Sequence, residues 1–148
     1  MRALLQRVRS ASVDVDGKTV GSVGPGLLVF LGVAPGDTET DAGYLARKTA
    51  CLRIFEDEAG RMNRSVLDCG SAVLVISQFT LYADCSRGLR PGFSGAALPE
   101  IAEPLYLRFA DLLRQNGVRT VEKGIFGADM LVRLENDGPA TFLLESKP

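Results

Sequence analysis

The chain has 148 residues, 46% of them hydrophobic and 24% charged, with a formal net charge of −1 and no histidine. That length suits a single domain with a substantial core, and that charge supplies no global field to draw the protein to nucleic acid or to a membrane. The missing histidine removes the commonest general base and the commonest metal ligand.

Near the start, Val13 and Val15 alternate with Ser12 and Asp14 before Asp16-Gly17. This pattern predicts a type I′ hairpin with Lys18 to Val23 as the return strand. Pro25-Gly26 punctuates the chain, and the apolar run Leu27 to Leu31 predicts a strand covered on both faces. Thr38-Glu39-Thr40-Asp41 resembles a capping box that opens a helix, with Ala42, Leu45, Ala46, Thr49 and Leu52 on its apolar face. Arg53-Ile54-Phe55 returns to strand, and Glu58-Ala59-Gly60 reads as a turn.

Ala72 to Ile76 is a second fully apolar run, and it delivers Ser77-Gln78-Phe79-Thr80-Leu81 at its end. A Gly/Arg/Pro-rich loop from Ala83 to Ala97 precedes a helix from about Glu100 to Gln115. Its buried stripe is predicted to be Ile101, Leu105, Phe109, Leu112 and Leu113, with Pro104 in the first turn. Val118–Val121, Met130–Leu134 and Ala140–Leu144 read as strands, and Asn136-Asp137-Gly138-Pro139 joins the last two. Two helices with mostly antiparallel strands predict an α+β domain over residues 1–148, its sheet closed into a barrel.

Cys51, Cys69 and Cys85 form no CxxC pair, so a zinc site would need all three thiolates and a carboxylate. Small, at least half-buried thiols in a reducing cytosol are expected instead. Met1 leads directly into Arg2 and a strand pattern without an apolar signal region, and no apolar stretch approaches the roughly 20 residues that span a bilayer. A soluble, cytoplasmic protein is expected. Arg2, Arg7, Arg9, Lys18, Arg61, Arg64, Arg87 and Arg90 could form a local basic patch for RNA, or simply a solvated face.

Two segments carry the functional signal. Gly138-Pro139 reads either as a plain turn or as a wall for a ligand, since glycine permits close approach and X-Pro can be cis. Ser77 to Leu81 either ends a strand or offers its N–H groups and the Thr80 hydroxyl to a developing oxyanion. Ser77 is a poor nucleophile, because no histidine activates it and no lysine stands in an obvious Ser–Lys relation. Phe126 and Met130, four apart among glycines, line an apolar pocket for a base or fill core. Arg90-Pro91-Gly92-Phe93-Ser94-Gly95 could be a binding loop or an ordinary surface loop.

Ser77-Gln78-Phe79-Thr80-Leu81-Tyr82 and Asn136-Asp137-Gly138-Pro139-Ala140-Thr141 resemble the two signature motifs of D-aminoacyl-tRNA deacylase. The similarity extends to Met1–Val8, the Arg90–Ala97 loop and Phe126–Met130, with Ala140 where the family usually has valine. The resemblance implies a homodimer of the deacylase fold, with the Gly138-Pro139 motif, bearing a cis bond, reaching into the other subunit's site. It implies hydrolysis of the ester in D-aminoacyl-tRNA and in glycyl-tRNA, without cofactor, metal or membrane. The main-chain carbonyls of Gly138 and Pro139 would hold the α-amino group and exclude an L side chain. Ser77 and Thr80 would serve catalysis, Gln78 and Phe79 would bind the aminoacyl ester, and Phe126 and Met130 would flank the adenine. Arg7 would hold the Gly-Pro loop, and the ribose 2′-hydroxyl would help activate water.

Overall fold

The computed structural model describes residues 1–147. In chain order it contains β1 (Arg2–Val15), β2 (Lys18–Val23), β3 (Gly26–Gly32), α1 (Glu39–Cys51), β4 (Phe55–Glu56), β5 (Met62–Arg64), α2 (Val66–Cys69) and β6 (Ala72–Ser77). A 3-10 turn (Phe79–Tyr82), α3 (Pro99–Gln115), β7 (Val121–Lys123) and β8 (Leu131–Glu145) follow. The α+β expectation holds, with three α-helices rather than two: the extra one, α2, is a single turn capped by Ser65, whose hydroxyl accepts from the Asp68 N–H at 3.1 Å.

β1 is the spine. One edge pairs antiparallel with β3 over Arg2–Val8 and with β2 over Ala11–Val15, while the other edge pairs with β8. The hairpin between β1 and β2 turns at Asp16 (φ 51°) and Gly17 (φ 77°), the two positive values that a type I′ turn requires. Most strand pairings are antiparallel, as predicted, but β3–β6 and β6–β7 are parallel. The segments carrying α1 and α3 make these connections, since a parallel neighbour can be reached only by a crossover. β2 curls toward β7, where a Cβ on Gly21 would lie 2.7 Å from the Lys123 carbonyl oxygen. The sheet is therefore nearly closed.

Alternation explains why β3 and β6 are continuously apolar. Leu27, Val29 and Leu31 of β3, with Val73 and Val75 of β6, pack in the core beneath α1 and α3. Leu28, Leu74 and Ile76 face the other way, into a second cluster with Val8, Val13 and Val23 inside the curled sheet. Both faces are covered, as predicted.

Several local expectations change. β4 covers Phe55–Glu56 rather than Arg53–Phe55, and β7 covers Val121–Lys123 rather than Val118–Val121. Residues 131–145 form one strand rather than a hairpin, because both halves pair with β1. Asn136 to Pro139 is therefore not a turn between strands. In α3 the buried stripe is Ala102, Tyr106, Phe109, Ala110 and Leu113, and Ile101 is 42% exposed. Pro104 lies in the second turn, where the carbonyl it leaves without a partner belongs to the solvent-exposed Glu100.

α1 opens as its sequence predicts, with the Asp41 carboxylate accepting from the Thr38 N–H at 2.8 Å. Inside it, Thr49 is fully buried and its hydroxyl has no hydrogen-bond partner among the described residues. Valine has the same shape without the orphaned polar atom. Thr49→Val is expected to raise the unfolding free energy by about 1 kcal/mol, read from the denaturant midpoint. A lower midpoint would mean that the hydroxyl is satisfied in solution.

Candidate active site

The carboxyl ends of the three parallel strands converge on one cavity of about 380 Å³. Leu31 and Val33 come from the end of β3, and Ser77, Gln78 and Phe79 from the end of β6. Phe126 and Gly127 follow β7, Ala102 and Tyr106 come from α3, and Phe93 with Ala96–Pro99 closes the far side. The rings of Phe79 and Phe93 meet edge-on with centroids 5.0 Å apart at the mouth, and those of Tyr106 and Phe126 lie 5.9 Å apart. A concave apolar wall with a few convergent polar groups is the usual form of a small-molecule site.

The polar groups come from the backbone. The Gln78 N–H extends the ladder by donating to the Leu31 carbonyl at 2.8 Å. The chain then tightens, with the Leu81 N–H donating to the Gln78 carbonyl at 3.3 Å and the Ala83 N–H to the Thr80 carbonyl at 3.1 Å. Gly32 permits this fold-back, since a Cβ there would sit 3.1 Å from the Gln78 oxygen and 3.2 Å from the Tyr82 ring. The N–H groups of Phe79 and Thr80, the first donors of the turn, have no protein acceptor among the described residues. Beside them the Thr80 hydroxyl accepts from the Gln78 side-chain amide.

Tyr106 is the one ionisable side chain in the cavity lining. Its hydroxyl donates to the Val75 carbonyl at 3.1 Å. Burial pushes its pKa up to about 12, so at neutral pH it is an uncharged donor and not a base. Among the described residues the lining contains no carboxylate, amine or thiol. Ser77 has no activating base in the lining, so the cavity can hold and polarise a carbonyl but offers no side-chain nucleophile–base pair.

The Gly-Pro motif is built separately. Asn136 pairs with Val8 and Thr141 with Gln6, leaving residues 137–140 as an excursion opposite Arg7. The Gly138–Pro139 peptide is cis. The Asn136 side chain clamps the excursion from within, accepting from the Ala140 N–H at 2.9 Å and donating to the Ala140 carbonyl at 3.1 Å. Arg7, only 5% exposed, clamps it from below. Its Nε donates to the Asp137 carbonyl at 2.8 Å and its Nη1 to the Ile54 carbonyl at 2.6 Å. Gly138 and Pro139 themselves stand exposed at the crest.

This crest is remote from the Ser77–Thr80 turn of the same chain. Ser77 pairs with Leu31, whereas the excursion lies at the level of Leu27, three strands away. The offset is about 13 Å along the strands and about 14 Å across them.

Ser77, Gln78, Phe79 and Phe126 thus share one cavity, with Thr80 on the adjoining turn, and Arg7 holds the Gly138-Pro139 excursion. Met130 does not join Phe126: it packs with the cluster inside the sheet, its sulfur filling the space that Gly124 leaves. Phe93 belongs to the Arg90–Gly95 segment read as a candidate binding loop, whereas Tyr106 was not singled out by the sequence, although it lies one helical turn from Ala102 on the stripe that is in fact buried. Of the basic residues, Arg7 is buried against main-chain carbonyls and is not free for RNA, whereas Arg2 donates to the Leu81 carbonyl and stays partly exposed. Cys51 and Cys85 are exposed rather than half-buried, while Cys69 is partly buried.

The sequence profile of a family described as "D-Tyr-tRNA(Tyr) deacylase" matches residues 4–145. The chain belongs to that family. Membership makes it a hydrolase. A relative from Chlorobaculum parvum named D-aminoacyl-tRNA deacylase is 56% identical over 146 residues, covering 99% of this chain and 98% of its own. Another of that name, from Roseiflexus castenholzii, is 59% identical and covered to 92%. Among solved structures, one described as "c-Myc DNA Unwinding Element Binding Protein" superposes with a TM-score of 0.94 at 40% identity, with both chains fully covered. A probable eukaryotic D-amino acid tRNA deacylase shares the fold at 20% identity, with a TM-score of 0.82 over 97% of this chain and 98% of its own.

Proposed function

We propose that residues 1–148 form one deacylase domain that hydrolyses the ester of D-aminoacyl-tRNA and of glycyl-tRNA in the cytoplasm, as a chiral proofreading step. The observation that carries this reading is a cavity with, among the described residues, two unpartnered N–H groups at its edge and no carboxylate, amine or thiol in its lining. A substrate that brings its own hydroxyl suits such a site. The terminal adenosine fits between apolar walls that include Phe126, and its 2′-hydroxyl orders the attacking water. The water oxygen adds to the ester carbonyl, and the resulting oxyanion is held by the Phe79 and Thr80 N–H groups. Collapse breaks the bond between the carbonyl carbon and the ribose 3′ oxygen, which takes the proton that the water gives up, and a free amino acid and tRNA are released.

Discrimination comes from a second copy of the chain. Its Gly138-Pro139 crest, too far from the Ser77–Thr80 turn within one protomer, enters the partner's cavity. There the two main-chain carbonyls accept from the α-amino group and occupy the space that an L side chain needs. This selects by clash rather than by attraction, and glycine, with nothing to exclude, passes.

Purified protein is expected to release D-tyrosine from D-tyrosyl-tRNA with EDTA present and to spare the L form. Ser77→Ala is expected to keep its rate within about tenfold of wild type, because an unactivated serine contributes no nucleophile, and a fluorophosphonate probe is expected to leave the protein unlabelled. No release of D-amino acid at micromolar enzyme would end this reading. The likeness to a DNA unwinding element binding protein at 40% identity favours a second reading, nucleic-acid binding without turnover. Saturable, salt-sensitive binding of aminoacyl-tRNA with no deacylation would establish it instead.

A further inference from the structure

Arg2 makes three contacts, two of them on the turn at the cavity edge. Its Nη1 donates to the Leu81 carbonyl at 2.8 Å, and its guanidinium carbon lies 4.6 Å from the centre of the Tyr82 ring. Its Nε donates to a Glu145 carboxylate oxygen at 2.6 Å. Arg2 sits on β1 opposite Gly32 of β3 on one side and Glu145 of β8 on the other. One side chain therefore ties β1 and β8 to the Phe79–Tyr82 turn. Gly32, at the same level, is the residue whose missing Cβ lets that turn pack down.

We propose that Arg2 is a positioning residue: by holding the Leu81 carbonyl and the Tyr82 ring, it fixes where the Phe79 and Thr80 N–H groups point. The contact at Leu81 lies at the carboxyl end of the turn, and the two unpartnered N–H groups lie at its amino end. A cation at the former complements the alignment of peptide dipoles that exposes the latter. Arginine suits the task because its planar fork can donate to a carbonyl and a carboxylate at once while stacking on an aromatic ring. The Arg2–Glu145 pair is more than a third exposed on both sides, so its contribution to global stability is small. Its effect is expected in the geometry of the turn.

The role in catalysis rests on the reading of the turn as the oxyanion-binding site, whereas the hold on the turn can be tested without it. In full-length Arg2→Met, hydrogen exchange at the Leu81 and Ala83 amides, whose acceptors are the Gln78 and Thr80 carbonyls, is expected to accelerate severalfold, with β3 and β6 unchanged. Deacylation of D-tyrosyl-tRNA is expected to lose about tenfold in kcat, with KM within about twofold. Arg2→Lys keeps the charge but not the fork and should fall between the two. Glu145→Gln, which retains an acceptor for Nε, should stay near wild type in both measurements.

Unchanged exchange at Leu81 and Ala83 in Arg2→Met would overturn the proposal. So would a loss of activity residing wholly in KM, which would mark Arg2 as a substrate contact. If the wild-type protein shows no deacylation, the functional reading fails, and the exchange experiment still decides whether Arg2 sets the turn.

Discussion

Gly138→Ala is expected to lower deacylation of D-tyrosyl-tRNA by at least about 100-fold while leaving the chain folded. A Cβ at position 138 would lie 2.3 Å from the Ala140 nitrogen and 2.9 Å from the Ala140 Cβ. Both belong to a segment pinned on each side, by the Asn136 amide within and the Arg7 guanidinium beneath, so the crest cannot yield without moving its carbonyls. A displacement on the order of 1 Å at a positioning group is enough for a loss of this size. Stability should suffer much less, because the crest is exposed and, of its residues, only Ala140 is buried. A fall of a few degrees in Tm is expected. Matched assays on D- and L-tyrosyl-tRNA with a thermal melt would decide it. Full activity with unchanged discrimination would show that the crest is not the chiral wall.

That excursion also shows where the sequence stops being readable. Met130–Leu134 and Ala140–Leu144 each look like a strand, and a turn signal between them ordinarily means a hairpin. What decides otherwise is remote: β1 is long enough to pair with both halves, so the turn residues become a bulge in one strand. Features written within a few residues were legible, such as the Asp16-Gly17 turn, the capping of α1 and the two apolar runs of β3 and β6. The parallel pairing of β3, β6 and β7 was not, because it depends on how the α1 and α3 segments cross over. In α3 the hydrophobicity of Ile101 drew the stripe one position away from Ala102 and Tyr106, yet the alanine packs close and the tyrosine spends its hydroxyl on Val75.

The site was legible in part for the same reason. Ser77, Gln78, Phe79 and Thr80 are contiguous at the end of one strand, so their proximity needs no tertiary knowledge. The spacing of Phe126 and Met130 read as pocket or core, and only the resemblance paired them at the adenine; Phe126 lines the cavity, and Met130 packs toward the interior of the sheet. Phe93 was legible only as part of a candidate binding loop, and Tyr106, arriving from α3, has no local signature.

Arg7→Met should be the most costly single change in stability, and it should slow the reaction as well. Arg7 is buried, yet its guanidinium satisfies the Ile54 carbonyl and the Asp137 carbonyl and lies 3.6 Å from the Asp137 carboxylate. Methionine fills comparable volume but donates nothing, leaving two main-chain acceptors unsatisfied in or near the core. Their combined cost is about 3 kcal/mol, or about 6–12 °C in Tm for a domain of this size. Arg7→Lys should recover part of this, since one ammonium can reach one carbonyl but not hold both in a fixed fork. Activity separates structural support from a positioning role. Assayed well below its melting temperature, Arg7→Met is expected to be folded yet about 10- to 100-fold slower, with relatively more L-tyrosyl-tRNA cleaved, because the freed crest no longer fills the space reserved for it. Wild-type rate and discrimination in a variant whose Tm has fallen would mean that Arg7 supports the sheet and not the site.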